Sequence, residues 1–187
     1  WIMKVSAATG EMIWEKSYGG NSYERAYDIV RNPKGGYFVI GTACNKKNPP
    51  KAGDYCSSNM SAYWLKIDDE GNKLSQKFLT HGPDQEGFSI TTTSTGGLAW
   101  VGRNQKNVTS GRQTVKIGQA VFYEQLGTKV KRSKVIDLGG GYGTSVEQTS
   151  DGGLLIVAGK NVFKTNTLEE IPSLETSCSR SNQDLCP

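Results

Sequence analysis

Apolar and polar positions along the chain follow one short pattern that occurs three times, in residues 24–41, 86–102 and 143–159. In each copy an aliphatic residue stands six positions before the first glycine of a Gly-Gly pair, and an apolar run ending on another glycine follows the pair. Short apolar runs bounded by glycine are typical of β-strands, and a glycine pair between two such runs is typical of a hairpin turn. The pattern therefore predicts an antiparallel hairpin in each copy.

A second pattern lies between these hairpins. An apolar run, a turn with glycine and a further apolar run occur in residues 1–14, 64–74 and 121–130, and residues 162–164 begin a fourth copy. The turn glycines are 61 and 56 residues apart, and so are the paired glycines: Gly10, Gly71 and Gly127 in the turns, Gly35, Gly96 and Gly152 in the pairs. Two independent markers with the same spacing indicate a true internal repeat.

Each repeat has room for about four short strands, which is the content of one β-propeller blade. We predict an all-β fold of β-propeller blades, each of about four antiparallel strands. A β-sandwich with coincidental hairpins is the alternative, but it gives no reason for a four-strand unit to recur. Residues 1–167 then hold about three propeller-like units that start and end in mid-blade, and residues 168–187 form an irregular tail or linker pinned by cysteines.

About three units are fewer than the roughly four blades that a closed propeller needs. The sequence therefore predicts part of a larger or assembled propeller, whose partners are other blades of a longer chain or neighbouring protein subunits. The sheet faces at the two ends are expected to be apolar and to be covered by those partners. They comprise Ile2, Ile13 and Trp14 at one end and Leu155, Val157 and Phe163 at the other.

Bulky side chains and intervening segments complete the predicted architecture. Aromatic residues at repeated strand positions fill the space between sheets, so all four tryptophans are expected in the core: Trp1, Trp14, Trp64 and Trp100. The segments that lengthen the first two units, residues 44–63 and 103–117, are expected to be loops.

Charge and cysteine content narrow the class of protein. The net charge of +4 is too small to argue for a nucleic-acid partner, and no apolar window approaches the roughly 18 residues of a membrane span. The four cysteines form two close pairs, Cys44 with Cys56 and Cys178 with Cys186, which predicts two local disulfides, with free or catalytic thiols as the alternative. A metal site needs a tighter ligand cluster, and the single histidine, His81, is far from both pairs in sequence.

Two glycosylation sequons agree with the predicted disulfides. Asn59 and Asn107 each begin an Asn-x-Ser/Thr triplet, and each lies in one of the two expected loops. Disulfides persist in oxidising compartments. The sequence therefore predicts a secreted protein that is extracellular or at the cell surface.

Particular motifs of the chain resemble two families of repeat proteins. Residues 64–72, 14–20, 26–29 and 151–159 resemble the propeller-type repeat of secreted and cell-surface proteins, which implies surface architecture and binding over about residues 1–165. Residues 5–14 are similar to the docking motif of quinoprotein propellers, which implies that Trp14 stacks on a turn of a neighbouring blade. Ser75 and Lys131 replace that tryptophan in the other units, and no matching set of quinone or metal ligands is present. We therefore predict no cofactor.

Catalytic groups are weakly indicated. His81 is expected at the surface of a turn, and the carboxylate pairs Asp68–Asp69 and Asp28–Glu24 are the candidates for a hydrolase that works with two carboxylates. Turns favour Asp, Asn and Gly for backbone reasons, so turn chemistry is the preferred explanation of residues 68–72. The protein is predicted not to be an enzyme.

A basic run offers one binding hypothesis. It consists of Lys129, Lys131, Arg132 and Lys134. These residues either protect an exposed strand edge or bind an anionic ligand such as an acidic glycan or a sulfated polysaccharide.

The function predicted from all of these observations is a noncatalytic extracellular scaffold or interaction module, as a subunit of a cell-surface assembly or filament. The alternatives are a carbohydrate- or glycoprotein-binding propeller and a fragment of a polysaccharide-acting enzyme.

Overall fold

The computed structural model describes residues 1–20, 23–44, 60–79, 85–110, 113–126, 129–136 and 141–165, with side chains outside residues 106–140. These residues form thirteen strands and no helix. The prediction of an all-β protein is therefore confirmed. The strands are β1 (Ile2–Val5), β2 (Met12–Lys16), β3 (Glu24–Arg31), β4 (Tyr37–Cys44), β5 (Met60–Ile67), β6 (Lys73–Leu79), β7 (Gln85–Thr92), β8 (Leu98–Ser110), β9 (Gln113–Leu126), β10 (Lys129–Ile136), β11 (Gly143–Gln148), β12 (Leu154–Ala158) and β13 (Asn161–Thr165).

The strands form four sheets in which sequence neighbours pair with one another. Strands β3 to β6 form one four-stranded sheet and β7 to β10 another, while β1 and β2 form a pair and β11 to β13 a three-stranded sheet. The pairings are antiparallel, and the register of β4 with β5 runs without interruption from Tyr37 opposite Ile67 to Cys44 opposite Met60, whereas β3–β4 and β5–β6 each contain a bulge. Each sheet is thus a local meander built from one stretch of the chain.

Four hairpin turns share one backbone geometry. In the turn of residues 32–36 the amide of Asn32 donates to the carbonyl of Gly36 at 3.0 Å, and the amide of Gly35 donates to the carbonyl of Asn32 at 2.9 Å. The same two bonds occur in residues 68–72, 93–97 and 149–153. The fourth residue of each turn is a glycine with φ between 76° and 97°, a left-handed conformation that other residues adopt only at a cost. Glycine spacing in the sequence therefore marked the positions where the backbone requires glycine.

One segment was expected to be a loop and is not. Residues 103–117 belong largely to β8 and β9, which pair without interruption from Leu98 opposite Gln125 to Ser110 opposite Gln113. The segment lacks a long apolar run, but Val, Ile and Thr recur in it, and these β-branched residues favour extended backbone. Asn107 consequently lies within β8, opposite Lys116, and not in a loop. Most of the other expected loop, residues 45–59, lies outside the described residues.

The chain divides into two compact units, residues 1–86 and 87–187. In the first unit the β1–β2 sheet covers one face of the sheet of β3 to β6. Its core is a buried cluster on β4 and β5, against which Ile2 and Trp14 pack. The cluster consists of Val39, Ala43, Tyr63, Leu65 and Ile67.

The second unit has a core of the same kind. Ala99 and Val101 of β8 are buried together with side chains of the sheet of β11 to β13. Those side chains are Val146, Leu154, Ile156, Ala158 and Phe163. In both units, therefore, one sheet covers a face of the next sheet along the chain.

Several predicted core and end-face positions need correction. Trp64 and Trp100 are buried as expected, but Trp14 is half-buried and Trp1 is 65% exposed. Successive side chains of a strand point to opposite faces, so Trp1 and Ile2 lie on opposite sides of the β1–β2 sheet. Trp1 is exposed because the side that carries Ile2 is the one that packs on the next sheet. Phe163, expected on an open face, is 6% exposed because it lies on the inner side of β13, whereas Leu155 on the opposite side of the neighbouring strand is 39% exposed.

Candidate interaction site

The best-defined site in the described part of the chain is the seat of Trp14 on the turn that joins β5 to β6. A Cβ atom built on Gly71 would lie 2.9 Å from the indole carbon Cζ3 of Trp14, so the ring rests directly on the bare Cα. The indole Nε1 donates a hydrogen bond to the carbonyl of Asp69 at 3.0 Å. The glycine is required twice here, by its φ of 76° and by the indole that covers it.

Three further side chains bind the same turn, two from the β1–β2 sheet and one from the segment that follows β2. The ammonium of Lys4 donates to the Asp69 carbonyl at 3.3 Å, and Lys16 donates to the side-chain oxygen of Asn72 at 2.5 Å. The Tyr18 hydroxyl donates to the carbonyl of Gly71, and partial burial raises the pKa of this hydroxyl. The sequence motif identified Trp14 but not Lys4 or Lys16. A signal for these two lysines was present, since they fall on the same side of the β1–β2 sheet as Trp14.

The carboxylate of Asp69 ties this turn to the turn between β3 and β4. It pairs with the guanidinium of Arg31 and accepts a hydrogen bond from the amide of Gly36 at 3.2 Å. The Arg31 hydrogen bond is the main cause that holds the pKa of Asp69 below its ordinary value. The ion pair is exposed on both sides, so its main effect is to position two adjacent turns.

The neighbouring carboxylate of Asp68 serves the turn itself. It accepts hydrogen bonds from the amides of Glu70 at 3.1 Å and Asn72 at 2.6 Å, and from the Asn72 side chain at 2.9 Å. These bonds lower the pKa of Asp68, with the Asn72 side chain as the largest cause. Each carboxylate of the predicted Asp68–Asp69 pair therefore has a structural role as a turn residue.

The second predicted carboxylate pair also accepts backbone hydrogen bonds. Asp28 accepts a bond from the amide of Ile29 at 2.8 Å, and Glu24 accepts one from the amide of Gly20 at 3.1 Å. Both bonds are local in sequence.

A comparable polar link joins the two sheets of the second unit. The amide of Ser94, in the turn between β7 and β8, donates to the side-chain oxygen of Gln148 at 2.6 Å. The side-chain nitrogen of Gln148 in turn donates to the Ser94 hydroxyl at 3.2 Å. Turns are thus the polar contact points between stacked sheets in both units.

Most of the other predicted site residues are only partly described. Cys44 is buried at the end of β4 and is disulfide-bonded, but Cys56, Cys178 and Cys186 lie outside the described residues, so the predicted pairings stay predictions. His81 and Asn59 also lie outside the described residues.

The basic run is described as backbone. Lys129, Lys131, Arg132 and Lys134 lie on β10, the edge strand of its sheet, with a bulge between Val130 and Arg132. The structure therefore places the run at a sheet edge.

Comparisons with known proteins identify no family for this chain, and the described residues contain no candidate metal site. No protein-family model matches the chain, and no curated protein matches it either. In the described ranges no group of three or more His, Cys, Asp or Glu is placed to hold a metal ion. None of the described residues forms a helix with the length and hydropathy of a membrane span.

Proposed function

We propose that this protein is a noncatalytic extracellular scaffold or interaction module, built from four-stranded sheets that stack side by side as propeller blades, and that it acts as a subunit of a larger surface assembly. The observation that carries the proposal is the seat of Trp14 on Gly71. It joins one sheet to the next through an indole, a bare glycine and a backbone carbonyl.

In both units the sheet packs on the next sheet through equivalent positions of the repeat, which supports the proposal. Ile40 and Trp64 are register partners in the first unit, and the repeat places Val101 at the position of Ile40 and Ile2 at the position of Trp64. Val101 and Ile2 are the residues that pack onto the following sheet. A unit that covers its neighbour through a constant pair of faces behaves as a stacked repeat, which is the construction principle of propellers and arrays.

The turn carboxylates also support a structural role. Asp68 and Asp69 bind the backbone amides of their own sheet, and Asp69 binds Arg31. A two-carboxylate hydrolase needs one acid and one base facing a substrate. At this turn both carboxylates instead position the surface on which the indole rests.

The test compares Trp14→Ala with Trp1→Ala. Both remove an indole from the first unit, but only Trp14 is seated on a neighbouring sheet, so Trp14→Ala should destabilise the chain and Trp1→Ala should have a small effect in urea unfolding. Full-length protein should release no reducing ends from a panel of neutral and acidic polysaccharides. Equal effects of the two substitutions would remove the stacking argument, and sugar release abolished by Asp69→Asn would show an enzyme instead.

A second candidate function is binding of an acidic polysaccharide along β10. Residues 98–136 contain eight Lys and Arg but one Asp or Glu, although the whole chain has a net charge of only +4. Register places Arg132 opposite Glu124 and Lys134 opposite Phe122 on this edge strand. Clustered Arg and Lys favour sulfate and carboxylate groups.

Heparin chromatography tests this candidate with a matched control. Replacing Lys131 and Lys134 by Glu should shift elution to much lower salt, because the interaction is electrostatic. Replacing Lys73 and Lys77 of β6, the corresponding edge strand of the first unit, by Glu makes the same change in net charge and should shift elution little. Equal shifts would show general charge attraction without a site on β10.

A further inference from the structure

The β1–β2 sheet has a second face that is largely apolar and open in this structure, with one carboxylate, that of Glu15, which accepts a hydrogen bond from the indole of Trp1 at 3.0 Å. We call it the outer face, and it is the side of the sheet opposite Ile2 and Trp14. Its exposed side chains are Trp1 (65%), Met3 (43%), Val5 (48%), Met12 (56%) and Ile13 (57%). Monomeric proteins rarely expose so many large apolar side chains together unless the surface is used.

The β5–β6 hairpin shows what such a surface is for, because it repeats the strand register and the bulge of the β1–β2 hairpin. Its turn, residues 68–72, is one residue shorter than the turn of residues 6–11, and in both turns the glycine is the second residue before the next strand. Lys4 pairs with Trp14 and Val5 with Met12, which leaves Ile13 as an extra residue at a bulge. In the same way Lys66 pairs with Ser75 and Ile67 with Lys73, which leaves Leu74 as the extra residue. The registers therefore equate Met3 with Leu65 and Val5 with Ile67.

The two equivalent surfaces differ in their neighbours, because β5 lies beside β4 in a four-stranded sheet and has a sheet packed over it, whereas β1 pairs only with β2. Leu65 and Ile67 have no exposed surface, and Ile2 and Trp14 of the preceding sheet pack against their cluster. Met3 and Val5 are almost half exposed. The outer face is thus the same kind of surface as the covered face of β5, without the sheet that covers it there.

The glycines at the two turns differ in the same way. Gly71 has φ of 76° with the Trp14 indole against it, whereas Gly10 has φ of 74° and nothing within 4 Å of a Cβ built on it. The carbonyls of Asp69 and Gly71 accept hydrogen bonds from Trp14 and Tyr18. The corresponding carbonyls, counted back from Gly10, are those of Ala8 and Gly10, and within the described residues neither accepts a hydrogen bond.

We propose that the outer face binds another sheet of this same repeat type, which seats a tryptophan on Gly10 and donates that indole N–H to the carbonyl of Ala8. The partner is defined by its chemistry, namely an antiparallel strand pair with an indole at the position of Trp14 and an aliphatic residue at the position of Ile2. The proposal rests on the proposed stacking function and names the partner of one surface.

This chain offers no second tryptophan suited to the seat. Trp64 and Trp100 are buried in strands, and Trp1 lies on the outer face itself. The later repeats carry Ser75 and Lys131 at the Trp14 position. The partner sheet must therefore bring its own indole.

A tandem chain tests the proposal directly. Residues 1–62 are placed before Trp1, because the registers equate Trp1 with residue 63, and the added copy then supplies a second Trp14 for Gly10. The added copy carries an uncovered outer face of its own, so ANS should bind the single chain and the tandem chain to a similar extent, and the test is the response to a substitution at the covered Gly10. Gly10→Ala in the original copy should lower the folding equilibrium constant about tenfold more in the tandem chain than in the single chain. Only in the tandem chain does the new methyl group meet an indole.

The φ cost of Gly10→Ala is the same in both chains, so their difference isolates the seated indole. A control tandem chain with Trp14→Ala in the added copy should lose the extra sensitivity. Equal effects of Gly10→Ala in all chains overturn the proposal, as does a tandem chain that fails to fold cooperatively. A single chain that binds no ANS and has twice its expected mass also overturns it, since a second copy then covers the outer face.

These outcomes are separate from the test of the stacking function. Trp14→Ala in the single chain probes the seat on Gly71, whereas the tandem chain probes only the seat on Gly10. Destabilisation in the first experiment with no effect in the second would refute this inference and leave the proposed function standing.

Discussion

Replacing Gly71 by alanine perturbs the sheet contact at its narrowest point, and Gly10→Ala is its matched control. The two glycines have nearly equal backbone conformations, with φ of 76° and 74°. Alanine in that conformation costs about 1–2 kcal/mol at either site. Both substitutions also restrict the unfolded chain to the same extent, so that contribution cancels in the comparison.

Only the surroundings separate the two substitutions. The new methyl group at position 71 would lie 2.9 Å from the Trp14 ring, while at position 10 it would meet nothing within 4 Å. Forcing a packed aromatic ring away from its seat costs about 1–3 kcal/mol, as other overpacking substitutions do. Gly71→Ala should therefore destabilise the chain by about 1–3 kcal/mol more than Gly10→Ala.

Urea unfolding followed by far-ultraviolet circular dichroism measures this difference through the transition midpoints, provided that the slopes agree. Near-ultraviolet circular dichroism should also change for Gly71→Ala, because the indole loses a fixed environment. Gly96→Ala gives a further control, since Gly96 has φ of 78° and open space around it. If the substitutions at 10, 71 and 96 cost the same, the indole does not bear on Gly71 and the account of sheet stacking is wrong.

Four further predictions concern an ion pair, a buried phenol, a disulfide and glycosylation. The pKa of Asp69 is lowered in the folded state, and the largest cause is the hydrogen bond from Arg31. The carboxylate therefore contributes stability above its unfolded pKa, and this contribution is lost as pH falls through the folded pKa. Asp69→Asn should flatten the acid limb of a plot of unfolding midpoint against pH. Burial, with a smaller effect of Glu24, raises the pKa of Tyr63 from 10.0 to about 12. Stability should therefore fall as pH rises between these two values, and Tyr63→Phe should remove that loss. Absorbance at the phenolate band titrates Tyr63 directly. Cys44 should resist alkylation until a reductant is added, and peptide mapping should find it joined to Cys56. If the chain is secreted as proposed, removal of N-glycans should lower the mass of the peptides that contain Asn59 and Asn107. An unchanged mass would argue against an extracellular location.

Some local features could be predicted from the sequence because they depend on the backbone alone. The glycines at 35, 96 and 152 mark turns with positive φ, and residues that lack the freedom of glycine are strained there. The turn at Asp68 likewise follows from a short carboxylate that accepts the amides two and four residues ahead. Trp14 was identified from its motif, and its predicted stacking partner was a turn.

Other features could not be read from the sequence, because they depend on which face of a strand is covered. Alternation shows that Met3 and Ile2 lie on opposite sides of β1, but both residues are apolar, so the pattern does not say which side packs on a neighbour. The same ambiguity led to the wrong expectations for Trp1 and Phe163. The extent of β8 and β9 was missed for a related reason, since their polar outer parts lack the apolar run that marks a buried strand.

The sequence by itself determined an all-β chain with repeated hairpins, because glycine positions and short apolar runs act through local backbone preferences. Only the tertiary structure decided which tryptophan is seated, which turn receives it and which apolar face is open. Those choices depend on contacts between segments far apart in the chain, such as Trp14 with Asp69 and Gly71, and no periodicity within either segment encodes them. Gly10 has nearly the same φ as Gly71 but nothing within 4 Å of a Cβ built on it, and only the tertiary structure shows this difference.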